Sequence, residues 1–182
     1  MTLYIILGVV AVIAIAFVGV FNKLAKLKVM VEEASSDIET FLKQRYDMIP
    51  NLVETVKGYA KHESGTFEKV AEMRSKAMSA GSLPEKMEAE VGLSNAISKL
   101  FAIAESYPEL KANANFMELQ STLKELEESI QKSRRYYNGA ARDFNTAIAV
   151  FPTNLIAQIF GYKKVEFFEA SEEEQKNVQV KF

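Results

Sequence analysis

A long uncharged stretch, Leu3–Phe21, stands at the start of the chain and limits the folds that are open to it. Its nineteen residues (LYIILGVVAVIAIAFVGVF) include no charge, no proline and two glycines. As an α-helix they would span about 28 Å, close to the roughly 30 Å hydrocarbon core of a bilayer. A helix that is apolar on every face can satisfy all of its backbone hydrogen bonds in lipid. The stretch therefore predicts a transmembrane anchor.

Two other interpretations of this stretch stay open. A cleaved signal peptide usually carries a basic segment before the apolar run, and only Met1 and Thr2 precede it here. The run also passes directly into charged helical sequence, without a small-residue cleavage site. A soluble core helix would need more apolar sequence around it than the rest of the chain supplies. We therefore favour the anchor.

The charges that flank the stretch predict its orientation. Three lysines, Lys23, Lys26 and Lys28, follow it, and no Lys or Arg precedes it. Because cationic flanks stay on the cytoplasmic side of a membrane, we expect the amino terminus outside and residues 22–182 in the cytoplasm. The same lysines could contact anionic lipid headgroups, although marking topology is the simpler role.

Composition limits the function of residues 22–182. They contain all 22 basic and all 24 acidic residues, so their near-neutral balance gives no electrostatic reason to expect nucleic-acid binding. The chain has no cysteine, which excludes disulfides, thiolate nucleophiles and cysteine metal sites. Four prolines and eight glycines among abundant Ala, Glu, Lys and Leu are typical of a helical domain.

Apolar residues then recur at three- and four-residue spacing, which predicts the buried seams of packed helices. The fold class that we predict is all-α, an N-terminal transmembrane helix followed by an antiparallel up-and-down four-helix bundle. The predicted domains are an anchor at 1–22, a cytoplasmic helical bundle at 23–165 and a polar C-terminal tail at 166–182. In that tail the alternation of Val178, Val180 and Phe182 resembles a strand.

Breaks between the predicted helices fall at prolines and glycines. Pro50 must kink the first helix or end it in a turn; the seam keeps its phase across it, but a bundle needs a turn, which we favour. A second helix would then run from Asn51 to about Ser79. Ser82 and Glu85 form a capping box that opens a third helix, with a predicted inward face of Met87, Val91, Ile97, Phe101 and Ala104. 

The fourth predicted helix has the clearest seam in the chain. Between Phe116 and Phe151 its seam positions are apolar or aromatic except for Ser133. The predicted seam residues are Phe116, Leu119, Leu123, Leu126, Ile130, Ser133, Tyr137, Ala140, Phe144, Ala147 and Phe151. Five heptads of helix are worth forming only with partner helices, so this pattern supports a bundle.

A short apolar helix at 154–160 and an aromatic and basic segment follow Pro152. If the fourth helix returns towards the membrane, this segment would lie at the bilayer interface, which suits such side chains. Folding back over the open end of the bundle is the alternative, and we favour it slightly. Residues that could contact lipid or a partner are Leu155, Ile156, Ile159, Phe160, Tyr162, Lys163, Lys164, Phe167 and Phe168.

Chemistry-bearing motifs are sparse, so we expect no enzyme, no cofactor and no metal. His62 is the one histidine, and neither a zinc-protease motif nor a di-iron bundle can be built from a single histidine. Its charged neighbours, Lys61 and Glu63, favour a solvated role over catalysis. Glu125, Glu127 and Glu128 alternate with lysines, as on an ion-paired surface.

Several motifs closely resemble the signature of the LemA family. They are RYDMIPNLVETVKGYA at 45–60, LKAN at 110–113 with Phe116, RRYYN at 134–138 and FPTNLIA at 151–157. The likeness covers residues 1–165 and departs at Gly65 and in the short tail. It implies a bacterial single-pass membrane protein with its amino end outside and a cytoplasmic four-helix bundle. The family has no agreed enzymatic activity or cofactor.

Three functions stay open on this sequence. The resemblance, in which one relative contributes to forming a magnetosome membrane, favours a self-associating scaffold that organises membrane or membrane proteins. Because family genes often neighbour membrane proteases, the alternative is an adaptor that binds a cytoplasmic signalling or membrane-protease partner. A cryptic hydrolase that uses His62 is the third. The expected partners are the lipid bilayer, a second copy of the chain and another membrane protein.

Overall fold

All regular secondary structure in the described part of the chain is helical, as the sequence predicts. The computed structural model describes residues 1–168, and within them there is no strand. The helices are α1 (Thr2–Lys57), α2 (Ser64–Ser79), α3 (Leu83–Ala104), α4 (Pro108–Lys111), α5 (Ala114–Ala149) and α6 (Thr153–Ile159). The strand-like alternation at Val178, Val180 and Phe182 lies outside the described residues.

Contacts divide the chain into two compact units. Unit 1 contains Met1–Ile38 and Ser133–Phe167, and unit 2 contains Glu39–Lys132 with Phe168. The first part of α1 and the second part of α5 therefore belong to unit 1, together with α6. The predicted division at residues 22 and 165 stays a prediction.

The apolar stretch forms the first part of α1 and is exposed. Among the residues that the structure describes, α1 is the one helix long and apolar enough to cross a membrane, and none of its most apolar window is buried. A core helix of a soluble protein would be mostly buried, so this exposure removes the core-helix interpretation. An exposed apolar surface of this length needs lipid or protein around it.

The predicted turn at Pro50 is wrong, because α1 continues through this proline to Lys57. A proline in mid-helix has no N–H to donate to the carbonyl four residues earlier, which belongs to Tyr46. The Arg74 Nε of α2 donates to that carbonyl oxygen at 2.8 Å and replaces the missing bond. The chain turns instead between α1 and α2, so the second helix begins at Ser64 rather than Asn51.

The capping box at the start of α3 is confirmed. The Glu85 N–H donates to the Ser82 hydroxyl, and the Glu85 carboxylate accepts from the Ser82 N–H. The predicted inward face is only partly right, since Ile97 and Ala104 are buried but Met87, Val91 and Phe101 are half-buried. The buried residues of α3 are Ala89, Glu90, Leu93, Ala96, Ile97, Leu100 and Ala104.

Gly92 of α3 lies against a side chain of α2. A Cβ atom built on Gly92 would lie 2.7 Å from the Met73 sulfur. Such a distance is far below van der Waals contact, so glycine at position 92 leaves room for the buried Met73 side chain.

The seam of α5 is confirmed along most of its length. Its buried members are Phe116, Leu123, Leu126, Ile130, Tyr137, Ala140, Phe144 and Ala147, while Leu119 and Ser133 are half-buried. Phe151 is an error in the prediction, because α5 ends at Ala149 and the Phe151 side chain is 77% exposed.

Candidate functional site

The residues that follow α5 in unit 1 contact the end of the apolar stretch. The Phe160 ring lies against the Phe21 ring with centroids 4.8 Å apart, and its centroid is 6.1 Å from that of Phe17. Tilted aromatic pairs at these distances are favourable. The carboxyl end of α6 is therefore held beside the last turns of the predicted membrane span.

A small core lies under this contact. Leu24, Ala147, Ile156 and Ala157 form a buried cluster, against which Tyr162 and neighbouring residues of α1 pack. Tyr162 also meets the edge of the Phe144 ring, with centroids 5.9 Å apart. This core joins α1, α5 and α6 within unit 1.

A glycine ends α6 and reverses the chain. Gly161 has a φ of +67°, a conformation that suits glycine because it has no Cβ atom. The Tyr162 N–H donates to the Ala157 carbonyl at 2.9 Å, and the Gly161 N–H donates to that of Gln158. These two bonds form a Schellman motif, which places Tyr162 over the buried cluster. The residues that follow Tyr162 then run alongside α5.

Side chains of α5 hold the returning segment. Asn145 both donates to the Val165 carbonyl and accepts from the Val165 N–H, each at 2.9 Å. The Tyr137 hydroxyl donates to the Glu166 carbonyl at 3.0 Å. Sequence reasoning missed Asn145, because a half-buried asparagine on the flank of a seam resembles an ordinary surface residue.

The structure divides the predicted contact residues into two groups. Ile156 and Phe168 are buried and Tyr162 is half-buried, so these three side chains pack against the protein interior. The side chains exposed to solvent are Leu155, Ile159, Phe160, Lys163, Lys164 and Phe167. Whether they contact lipid or a partner protein stays a prediction.

A cleft of about 520 Å³ opens between α1 and this returning segment. Its apolar lining residues include Phe21, Val31, Phe144 and Phe160. The charged residues that line it are Lys28, Glu32, Lys163 and Lys164. Lys23 and Lys26 are exposed on α1 and do not line the cleft. Of the three flanking lysines, the structure therefore brings only Lys28 to it.

Unit 2 contains a buried ionic cluster that sequence reasoning did not find. Arg45 of α1 is 4% exposed and Glu90 of α3 is 2% exposed. Arg45 Nη1 lies 3.1 Å from a Glu90 carboxylate oxygen and 3.0 Å from a carboxylate oxygen of Glu127 on α5. Its Nη2 donates to the Ser94 hydroxyl at 2.7 Å, and the Tyr46 hydroxyl donates to the other Glu90 oxygen. The cluster connects α1, α3 and α5 within unit 2.

Burial sets the protonation of Tyr46 in this cluster. Loss of solvent raises the pKa of the Tyr46 hydroxyl, and its hydrogen bond to Glu90 raises that pKa further; the Arg45 charge acts in the opposite direction but is weaker. Tyr46 therefore stays protonated and continues to donate at high pH.

We expect this pKa shift to make stability depend on alkaline pH. The native state keeps the Tyr46 proton above about pH 10, where the unfolded chain releases it, so the free energy of unfolding falls as the pH rises. This contribution is complete below pH 10 and declines by up to about 1.4 kcal/mol per pH unit above it. Tyr46→Phe should flatten the decline in urea unfolding curves between pH 9 and 11. Tyr136→Phe, at an exposed position, should keep the wild-type slope; equal slopes for all three proteins would contradict the assignment.

Side chains that could bind a metal ion do not cluster within residues 1–168. No group of three or more His, Cys, Asp and Glu side chains in that range is arranged to hold a metal ion. His62 is exposed in the connection between α1 and α2. A cleft of about 430 Å³ runs beside the ionic cluster, lined by residues of α3 and α5 that include Ser94, Phe101 and Lys124.

Comparisons with known proteins identify the family. A model of the LemA family matches residues 34–182. Magnetosome protein MamQ 2 of Paramagnetospirillum magneticum is 26% identical over 190 residues, which cover 90% of this chain and 70% of the relative. Protein LemA of Metamycoplasma hominis is 29% identical over 166 residues, with 89% and 74% covered. Magnetosome protein MamQ of Magnetospirillum gryphiswaldense is 26% identical over 168 residues, with 76% and 62% covered. Since the family model matches most of its length, the chain belongs to the LemA family.

Proposed function

We propose that this chain is a non-enzymatic, single-pass protein of the bacterial cytoplasmic membrane that self-associates into a scaffold. The amino terminus would lie outside and the helical part in the cytoplasm, as the lysines after the apolar stretch favour. The scaffold would organise membrane or membrane proteins. Two relatives whose names place them in magnetosomes are consistent with a role at a membrane.

One observation carries this proposal: the exposed apolar stretch continues without a break, as the same helix, into the core of unit 1. Leu24, three residues after the stretch, is fully buried. Phe160 packs on Phe17 and Phe21 at the same point. An anchor joined in this way is part of a folded unit rather than a flexible tether.

The proposed fold of the cytoplasmic part is an antiparallel four-helix bundle of α1, α2, α3 and α5. Contacts within unit 2 support it, because Arg45 reaches α3 and α5, and the Tyr46 carbonyl accepts from Arg74 of α2. In such a bundle the long seam of α5 would have partners along its length.

Cysteine crosslinking in the membrane tests self-association. The chain has no cysteine, so single cysteines introduced one at a time from position 5 to 17 report only on their own position. We expect crosslinked dimers at positions that repeat every three to four residues, because one face of the helix would meet its partner. The control is the same set of variants in nanodiscs with one chain per disc, which should give no dimer. Absence of crosslinks in native membranes, or equal crosslinking at every position, would contradict the proposal.

The second candidate is an adaptor that binds a cytoplasmic partner, which the exposed residues after α6 favour. Lys163, Lys164 and Phe167 are exposed within five residues of sequence. Proximity labelling with the triple serine variant of these residues tests the adaptor, with Lys124→Ser and Lys132→Ser as a control on the surface of α5. An unchanged set of labelled proteins would contradict this site.

A further inference from the structure

The cleft beside α1 is lined by both apolar and cationic side chains, which one amphiphilic molecule could contact together. Its apolar lining includes Phe21, Phe144 and Phe160. Its cationic lining consists of Lys28, Lys163 and Lys164, and Glu32 is the acidic residue in the lining. Three lysines against one glutamate leave an excess of positive charge. The volume of about 520 Å³ is large enough for a phosphodiester headgroup and the first part of an acyl chain.

The position of the cleft relative to the apolar stretch fits the headgroup layer of a bilayer. Phe21 ends the stretch, and Phe160 packs on both Phe21 and Phe17. Lys28 is seven residues further on, or about 10 Å along the helix axis. Lysine side chains extend towards the interface while their methylene groups cover apolar surface, so all three ammonium groups can reach this layer.

Among the described residues, Lys28 is the one lysine of the cleft that forms an ion pair. Its Nζ lies 3.4 Å from a Glu32 carboxylate oxygen, and both side chains are more than half exposed. An exposed pair of this kind is weak, so a lipid phosphate can compete for Lys28. In the described part of the chain, neither Lys163 nor Lys164 is in an ion pair.

We propose that this cleft binds one anionic phospholipid from the leaflet in which it lies. The phosphodiester contacts Lys28, Lys163 and Lys164, and an acyl chain lies against Phe21 and Phe160 as it enters the hydrocarbon layer. This inference rests on the proposed membrane anchoring and is independent of self-association. It gives the returning segment after α6 a role in lipid selection.

Native mass spectrometry of the full-length protein in detergent, with added phosphatidylglycerol or phosphatidylcholine, tests the proposal. We expect one tightly bound phosphatidylglycerol and weaker binding of phosphatidylcholine. Lys163→Ala with Lys164→Ala should weaken phosphatidylglycerol binding about 25-fold, at roughly fivefold for each lysine at a membrane surface. The matched control, Lys23→Ala with Lys26→Ala, removes the same charge on the same side of the membrane but outside the cleft, and should change binding less than threefold. Glu32→Gln should tighten binding, because it removes the opposing charge.

Three other results would overturn the proposal or a part of it. Equal weakening by the two double variants would overturn the site, since it would indicate unspecific attraction to charge. Equal affinity for the two lipids would overturn headgroup selection. Binding of inorganic phosphate at similar strength, without preference for the lipid, would overturn the role of the acyl chain. Lipid binding is measured in detergent, so a protein that does not bind the lipid can still be shown to lie in membranes. In the same way, a protein that does not crosslink to itself can still bind the lipid. The lipid site and the proposed function can therefore fail separately.

Discussion

Glu90→Ala should lower the free energy of unfolding by about 3–5 kcal/mol, the cost expected when one partner of a buried ion pair is removed. The substitution leaves the Arg45 guanidinium buried with only Glu127 to balance it, and Glu127 is partly exposed. It also removes the acceptor of the Tyr46 hydroxyl. Thermal unfolding of the full-length protein in detergent, followed by circular dichroism, should show a Tm lower by roughly 10 °C.

Two further variants distinguish the loss of a buried ion pair from the loss of a charged side chain at the surface. Glu54→Ala breaks the exposed pair with Lys57, whose atoms are 3.0 Å apart, and should cost at most about 1 kcal/mol. Replacing both buried partners, Arg45→Met with Glu90→Leu, should recover much of the loss, because no unpaired charge then remains. If Glu90→Ala behaved like Glu54→Ala, the ionic cluster would not be closed to water as described.

A chain that lacks residues 3–16 should move from the membrane to the soluble fraction almost completely. This deletion leaves five residues of the apolar stretch, far fewer than the roughly 20 that a spanning helix needs. It keeps Phe17 and Phe21, so the contacts with Phe160 and the core of unit 1 are retained. Carbonate extraction of membranes followed by immunoblotting measures the distribution.

Matched variants and an intact-mass measurement complete this test. Ile13→Lys should reduce membrane insertion, since a lysine near the helix centre costs about 2.5–3.5 kcal/mol, while Ile13→Leu should leave it unchanged. Intact mass of the wild-type protein from membranes should include the apolar stretch. A mass equal to that of a chain that begins after Phe21 would instead identify the stretch as a cleaved signal peptide. That result would contradict the proposed anchor.

Local features of the fold could be predicted from the sequence because neighbouring residues determine them. The capping box needs only Ser82 and Glu85, and the seam of α5 follows from helical periodicity. The apolar stretch is long enough to be recognised by composition alone. These features do not depend on contacts between distant parts of the chain.

The features that sequence reasoning missed depend on distant partners. Arg45 and Glu90 are 45 positions apart, and each has a charged residue type that usually lies on a surface. The hydrogen bond that satisfies the Tyr46 carbonyl in α1 comes from Arg74, which is 24 positions beyond Pro50. The contact of Phe160 with Phe21 requires α5 to return the chain to α1, so the aromatic segment alone could not distinguish an interfacial position from a cap on the bundle.

Pro50 leaves a hydrogen-bond acceptor on α1 that a side chain of α2 uses. A regular helix hides its carbonyl oxygens in its own hydrogen bonds, and the proline leaves the one of Tyr46 available on the side of the helix. Arg74 donates to that oxygen, so the residue that removes one bond from α1 also leaves an acceptor through which α1 is joined to α2. An alanine at this position would supply the missing N–H, and the Tyr46 carbonyl would then be shared between the helix and Arg74.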